Sequence, residues 1–204
     1  MSRYAEGDDA AFALVFSELA PRLRSFLRRL SGSQELADDL LQETLLRMHH
    51  ARSSFTPGKP VVPWAYAIAR NGYVSHARSV RARLDRASAG MEALDLLADS
   101  GGCGEQQRMA RETALTVERT LQGMTAARRE AFVLLRYEGL SVASAAQIIG
   151  ISEGALKIRA FHAYELIRAA LAQSESPPGD EPPGRAETSL TLARRGSDTQ
   201  ALAH

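Results

Sequence analysis

The 204-residue chain carries 25 Lys and Arg against 24 Asp and Glu, a net charge of +1, with 45% hydrophobic and 6% aromatic residues. That length holds one large domain or two small ones, and a composition rich in Ala, Leu and Arg favours helix over strand. A single cysteine, Cys103, excludes a disulfide framework and a cysteine-built zinc site; an acidic start (Glu6, Asp8, Asp9) and the lack of an apolar run of about 18 residues argue against export or a membrane span, and fit a reducing cytoplasm.

From Phe12 the apolar residues recur at Phe16, Leu19, Leu23, Phe26, Leu27 and Leu30, the three-and-four spacing of a helix, with Asp8 or Asp9 as its N-cap. Ser31-Gly32-Ser33 ends it. A second helix follows through Leu36, Leu40, Leu41, Leu45 and Met48, making a helical hairpin. The stretch from Phe55 to Pro63 contains Pro57, Gly58, Pro60 and Pro63 and is expected to be an ordered, non-helical loop. Pro63 then suits the first turn of a third helix running through Trp64, Ile68 and Tyr73 to about Arg83, with Trp64 and Ile68 expected in the core.

Charge divides unevenly along these helices. Residues 33–46 hold Glu35, Asp38, Asp39 and Glu43 with no Lys or Arg, whereas residues 64–86 hold Arg70, Arg78, Arg81, Arg83 and Arg86 against Asp85. An acidic helix followed by a basic one suggests a protein partner for the first and phosphates for the second. Two merely solvated faces would give the same pattern. Asp39 and Glu43 stand one turn apart, but His49 and His50 are adjacent and point to different faces, so no di-metal bundle motif is completed and neither catalysis nor a metal is expected.

Periodicity weakens from Leu84 to Gln107, which includes Ser100-Gly101-Gly102-Cys103-Gly104 and is read as a flexible linker. A second helical unit resumes at about Arg108, with helices near 108–122, 126–138, 141–149 and 153–172. Beyond Gln173, Pro177-Pro178-Gly179 and Pro182-Pro183-Gly184 with few large apolar residues predict a disordered tail. The resulting organisation is all-α: a helical domain over 8–83, a linker over 84–107, a second domain over 108–173, and a tail over 174–204.

The sharpest local signal runs from Leu140 to Lys157. Small Ala145 and Ala146 permit close helix contact, Gly150 suits a left-handed turn residue and Ser152 caps the helix that follows, which are the requirements of a helix-turn-helix. At about 100° per residue, Leu156, Ala160, Ala163 and Ile167 form the core stripe of the second helix, and Gly154, Ile158, Phe161 and His162 fall opposite. Lys157 and Arg159 flank that outer face. An outward Ile and Phe between two cations suits a DNA major groove, where apolar groups meet thymine methyls and cations hold phosphates; packing against another helix or a partner protein is the competing explanation.

With this module behind an acidic-then-basic helical domain, the chain resembles the extracytoplasmic-function sigma factors of the sigma-70 family. Asp39-Leu40-Leu41-Gln42-Glu43 is similar to the family's polymerase-binding helix, and Phe55, Trp64 to Asn71, His76 and Arg78 to its promoter-melting segment. The resemblance implies that Asp39, Gln42 and Glu43 contact core RNA polymerase. It implies that Phe55, Lys59, Arg70, Asn71 and Arg78 serve the minus-ten element, the loop from Thr56 to Val62 with Asn71 forming a pocket for a flipped base. Lys157, Ile158, Arg159, Phe161 and His162 would meet the minus-thirty-five element. The implied partners are core polymerase, promoter DNA and an anti-sigma factor, in the cytoplasm, with no cofactor and no chemistry of the chain's own. Ser75, Ser79, Ile158 and His162 depart from residues common in the family, so the promoter recognised is not expected to be a family average. A dimeric helix-turn-helix regulator would leave the Pro-rich loop, Trp64 and Asn71 without a role, and a sigma-like decoy would not need Arg70, Arg78, Lys157 and Arg159.

Overall fold

The computed structural model describes residues 2–5, 8, 10–87 and 105–175; most of the expected linker and nearly all of the expected tail lie outside these residues. A short α1 (Ser2–Ala5) precedes the hairpin of α2 (Ala10–Ser31) and α3 (Gln34–His50), and a 3-10 turn (Arg52–Ser54) leads through the loop to α4 (Val61–Ala87). The second unit comprises α5 (Glu105–Gly123), α6 (Ala126–Phe132), a π-helical turn (Val133–Tyr137), α7 (Val142–Ile149) and α8 (Glu153–Glu175). Among the described residues every element is helical.

The boundaries follow local chemistry. Ser33 caps α3 by accepting from the Leu36 N–H at 3.2 Å, and Ser141 caps α7 by accepting from Ser144 at 3.1 Å. Gly150 ends α7 in the left-handed conformation, φ 78°, and Ser152 then accepts from Ala155 at 3.2 Å to start α8. Two expectations need correction. The loop ends at Pro60, because Val61, Val62 and Pro63 already belong to α4; in a first helical turn the missing proline N–H costs nothing. The helix expected over 126–138 also breaks, at Phe132, into the wider π turn, where the Glu138 N–H reaches the Val133 carbonyl at 3.1 Å.

The two units share one core. Leu23, Phe26, Leu27, Met48 and Tyr66 from α2, α3 and α4 are continuous with Val133, Leu134, Ile148 and Leu156 of the second unit, while Leu121, Met124, Phe132, Ala163 and Ile167 form a smaller cluster between α5, α6 and α8. The join is also polar. The last carbonyls of α2, which have no partner within their helix, are satisfied from the second unit: Gln122 donates to the Arg29 carbonyl at 3.1 Å and Arg129 to the Leu30 carbonyl at 2.6 Å. A guanidinium there also complements the negative end of the helix dipole. Arg28 pairs with Glu118 at 3.0 Å, and Arg29 lies 4.0 Å over the Tyr137 ring.

Candidate functional site

Three surfaces carry the predicted residues. On α3, Asp39, Gln42 and Glu43 all face solvent, at the spacing of a single helical face. Glu43 pairs with Arg47 at 2.6 Å along the helix; neighbouring Asp38 is engaged by Arg24 at 2.8 Å, and that hydrogen bond holds its carboxyl below the usual carboxylate range. Beside this acidic face runs an apolar groove between α2 and α3, with compartments of about 700 and 390 Å³ that share Phe16, Gln42 and Leu45. Phe16 and Leu46 are 43% and 55% exposed on it, so the surface offers apolar contact flanked by negative charge.

The second surface is a cleft of about 470 Å³ at the Pro-rich loop, walled by Phe55, Thr56, Lys59, Trp64 and Ala67. Lys59 is exposed at its rim. Phe55 is buried and meets Trp64 edge to face at 5.2 Å, so its ring shapes the floor while Trp64 stays half-buried. Asn71 and Arg78 are exposed; Asn71 continues the stripe of Trp64 and Ala67 one turn beyond the cleft. The remaining wall comes from the second unit, as Gln147 and Ile148 of α7 lie against the cleft. Arg70 is likewise engaged across the join, its Nε and Nη2 each 3.1 Å from one oxygen of the buried Glu130 carboxylate.

The third surface is α8. Leu156, Ala160, Ala163 and Ile167 are buried as their helical phase predicts, and Ile158 and Phe161 stand 61% and 60% exposed. Lys157 and His162 are exposed beside them, with the Phe161 and His162 rings 5.7 Å apart, whereas Arg159 is half-buried and acts electrostatically on Glu130.

Glu130 and Glu138 were not singled out by sequence, although both are buried and both face the first unit. Burial pushes the Glu130 carboxyl above its usual range, against the pull of Arg70. Glu138 accepts from the Tyr66 hydroxyl, and its backbone carbonyl accepts from Arg22 at 3.2 Å. Burial, and then this carboxylate, drive the Tyr66 hydroxyl far above its ordinary value, so it remains a donor. The unbroken apolar run Ala131-Phe132-Val133-Leu134-Leu135 was the available signal, since it exceeds what one helix face needs and marks an element covered on more than one side. Among the described residues no cluster of three or more His, Cys, Asp or Glu is arranged to hold a metal, and no helix is long and apolar enough to cross a membrane.

Comparison with known proteins agrees with both halves of this architecture. The family profile of sigma-70 region 2 matches residues 15–83, and that of sigma-70 region 4 matches residues 114–167. RNA polymerase sigma factor CarQ of Myxococcus xanthus is 33% identical over 178 residues, 86% of this chain and 97% of that one. ECF RNA polymerase sigma factor SigF of Caulobacter vibrioides is 31% identical over 176 residues, 86% of this chain and 93% of its own. Among solved structures, sigma factor RpoE of Bartonella quintana, in complex with the anti-sigma factor NepR, superposes with a TM-score of 0.66 at 27% identity, covering 79% of this chain and 97% of that one. With both regions present in order, and full-length relatives above 30% identity, the chain belongs to the extracytoplasmic-function group of the sigma-70 family of RNA polymerase sigma factors.

Proposed function

We propose that this chain assembles with core RNA polymerase in the cytoplasm, recognises a two-part promoter and helps to open it, contributing binding energy and no catalysis of its own. Asp39, Gln42 and Glu43 meet a basic surface on the polymerase. The cleft at the Pro-rich loop, with Lys59, Arg70, Asn71 and Arg78, takes the displaced strand of the minus-ten element, a flipped base being paired by the Asn71 amide. Lys157, Arg159 and His162 hold phosphates or base edges of the minus-thirty-five element around Ile158 and Phe161. The domain division at 8–83 and 108–173 assigns one promoter element to each. An anti-sigma factor, such as the one held by the similar RpoE, is the expected regulator.

The observation that carries this reading is the pairing, in one chain, of an outward apolar and cationic face on α8 with an outward acidic face on α3. A self-sufficient regulator has no use for the second, and a decoy none for the first. Run-off transcription with purified core polymerase tests it. The wild type should direct initiation at a defined start, and Asp39→Lys/Glu43→Lys, which sets like charge against the basic partner, should abolish both pull-down of core enzyme and transcript while leaving the helical spectrum unchanged. Undiminished core binding by the folded double variant removes α3 from the polymerase surface.

A further inference from the structure

We propose that His49, with Arg52 behind it, is a positioning residue for assembly with the polymerase: through Tyr4 it fixes the aromatic wall of the apolar groove beside the acidic face of α3. This role rests on the function proposed for that face, and it adds a compartment of the groove, its occupant and the residues that hold it in shape.

The wall begins at the N-terminus. Tyr4 of α1 is fully buried, its ring 5.1 Å from that of Phe12, which in turn lies 6.1 Å from Phe16. Phe12 and Phe16 line the compartment of about 390 Å³ together with Gln42, Leu45, Leu46 and His49. A helix of four residues cannot hold itself in place, so the position of Tyr4 depends on what grips its side chain. His49 supplies the grip, with its Nδ1 2.6 Å from the Tyr4 hydroxyl. Arg52, in the turn after α3, reaches the other ring nitrogen, Nε2, at 3.1 Å and donates to the His49 carbonyl at 2.9 Å, its guanidinium 5.9 Å from the Tyr4 ring. A guanidinium can only donate, so Nε2 accepts, the imidazole proton sits on Nδ1, and the Tyr4 hydroxyl is its acceptor.

Two features separate this arrangement from a plain anchor. Burial alone would be served by a phenylalanine, which has no hydroxyl to satisfy; hydrogen bonds at both ring nitrogens fix an angle as well as a depth. The wall they fix is also left open, since Phe16 and Leu46 remain exposed on it. Gln42, on the face assigned to the polymerase, lines both compartments of the groove, so a partner that meets Asp39, Gln42 and Glu43 continues into it. The occupant is an apolar side chain of the basic polymerase element, lodged in the compartment that Phe12 and Leu46 line while its cations face Asp39 and Glu43.

The test titrates the full chain with core polymerase, at a temperature where thermal unfolding shows every variant folded. Tyr4→Phe keeps the ring and removes the acceptor; His49→Phe keeps a ring and removes both nitrogens. Each should weaken core binding about fivefold, the equivalent of one hydrogen bond, and the pair together no more than either alone. His49→Asn, whose amide can donate where Nδ1–H donates, should bind nearly as the wild type does, and should gain nothing over His49→Phe once Tyr4→Phe is also present. Nitrogen-15 spectra of the wild-type imidazole should show the Nδ1–H tautomer at His49. The positioning role is overturned if the single variants bind core polymerase as the wild type does, even with a lowered melting temperature, if their losses add, if asparagine recovers nothing, or if the proton lies on Nε2. A wild type that binds no core polymerase overturns the reading of α3, and this role with it.

Discussion

Cations on two helices of this chain, α4 and α8, are assigned to the same polyanion, yet the fold treats them in opposite ways. On α8 the outer face is open, with Ile158 and Phe161 more than half exposed beside Lys157. On α4 the cleft at Trp64 and Ala67 is walled in part by Gln147 and Ile148 of α7, and Arg70 is tied to a buried carboxylate from α6. The difference teaches that a DNA-facing cation is defined by what else in the chain competes for it. Lys157 has no carboxylate at ion-pair distance among the described residues, whereas Arg70 has Glu130 at 3.1 Å.

Replacing each cation in turn should break this comparison most visibly in stability. Arg70→Ala leaves Glu130 buried beside a lost partner and should cost about 3 kcal/mol at neutral pH, whereas Lys157→Ala, at an exposed position, should stay within about 0.5 kcal/mol. The deficit should depend on pH. Burial raises the folded-state pKa of Glu130 above its unfolded value, so the ionised form costs stability above the unfolded pKa, and that cost is relieved as pH falls through the raised folded pKa. Without Arg70 to pull it back the rise is larger. Urea unfolding should therefore show the Arg70→Ala deficit greatest near about pH 8 and shrinking toward about pH 5. A deficit that did not shrink with acidification would mean that Arg70 does not govern the titration of Glu130.

How far the two helices were legible in the sequence follows from the same contrast. The phase of α8 is set by its own core stripe, so Leu156, Ala160, Ala163 and Ile167 fix where Ile158 and Phe161 must point without knowledge of any other element. Likewise Ser33, Gly150 and Ser152 end or begin helices through contacts a few residues away. Arg70 and Glu130 lie sixty positions apart, and nothing in the pattern of either helix names the other. Val61 and Val62 were read as loop because prolines flank them, a rule that holds for helix interiors and fails in a first turn. The charge division that pointed α4 toward phosphates summed residues 64–86 without asking which of them a distant carboxylate had already taken.

Salt dependence sharpens the comparison at a smaller scale. For the free chain on a duplex bearing the upstream element, Lys157→Ala should lower the slope of log affinity against log salt by roughly one unit, as loss of one phosphate contact predicts. Arg70→Ala should leave that slope unchanged, because Glu130 already holds that guanidinium in the free chain. With holoenzyme on the complete promoter both variants should lower the slope. Fluorescence anisotropy across a salt series checks each arm, and a drop for Arg70→Ala in the free chain would mean that Arg70 already reaches DNA.

The smallest effect separates two glycines that share a backbone conformation but not a neighbourhood. Gly150, φ 78°, turns from α7 to α8 in open space, where an added Cβ meets nothing within 4 Å. Gly32, φ 74°, turns from α2 to α3, and a Cβ there would stand 2.8 Å from the Oε1 of Gln122 in the second unit. Alanine at either position bears the cost of the left-handed region, roughly 1 kcal/mol. At Gly32 the Gln122 amide must also move, although it accepts from Arg129 at 2.8 Å and donates to the Arg29 carbonyl at 3.1 Å. Because the end of a glutamine side chain is free to swing and re-solvate, the excess should be only about 0.5 kcal/mol, a fraction of one hydrogen bond. Urea unfolding of Gly32→Ala and Gly150→Ala should show that excess at Gly32, and it should vanish when Gln122→Ala is introduced, since the glycines then differ only in which helices they join. An excess that persisted without the Gln122 side chain would place its origin in the turn of the first unit, and the contact between the units would then contribute nothing at this point.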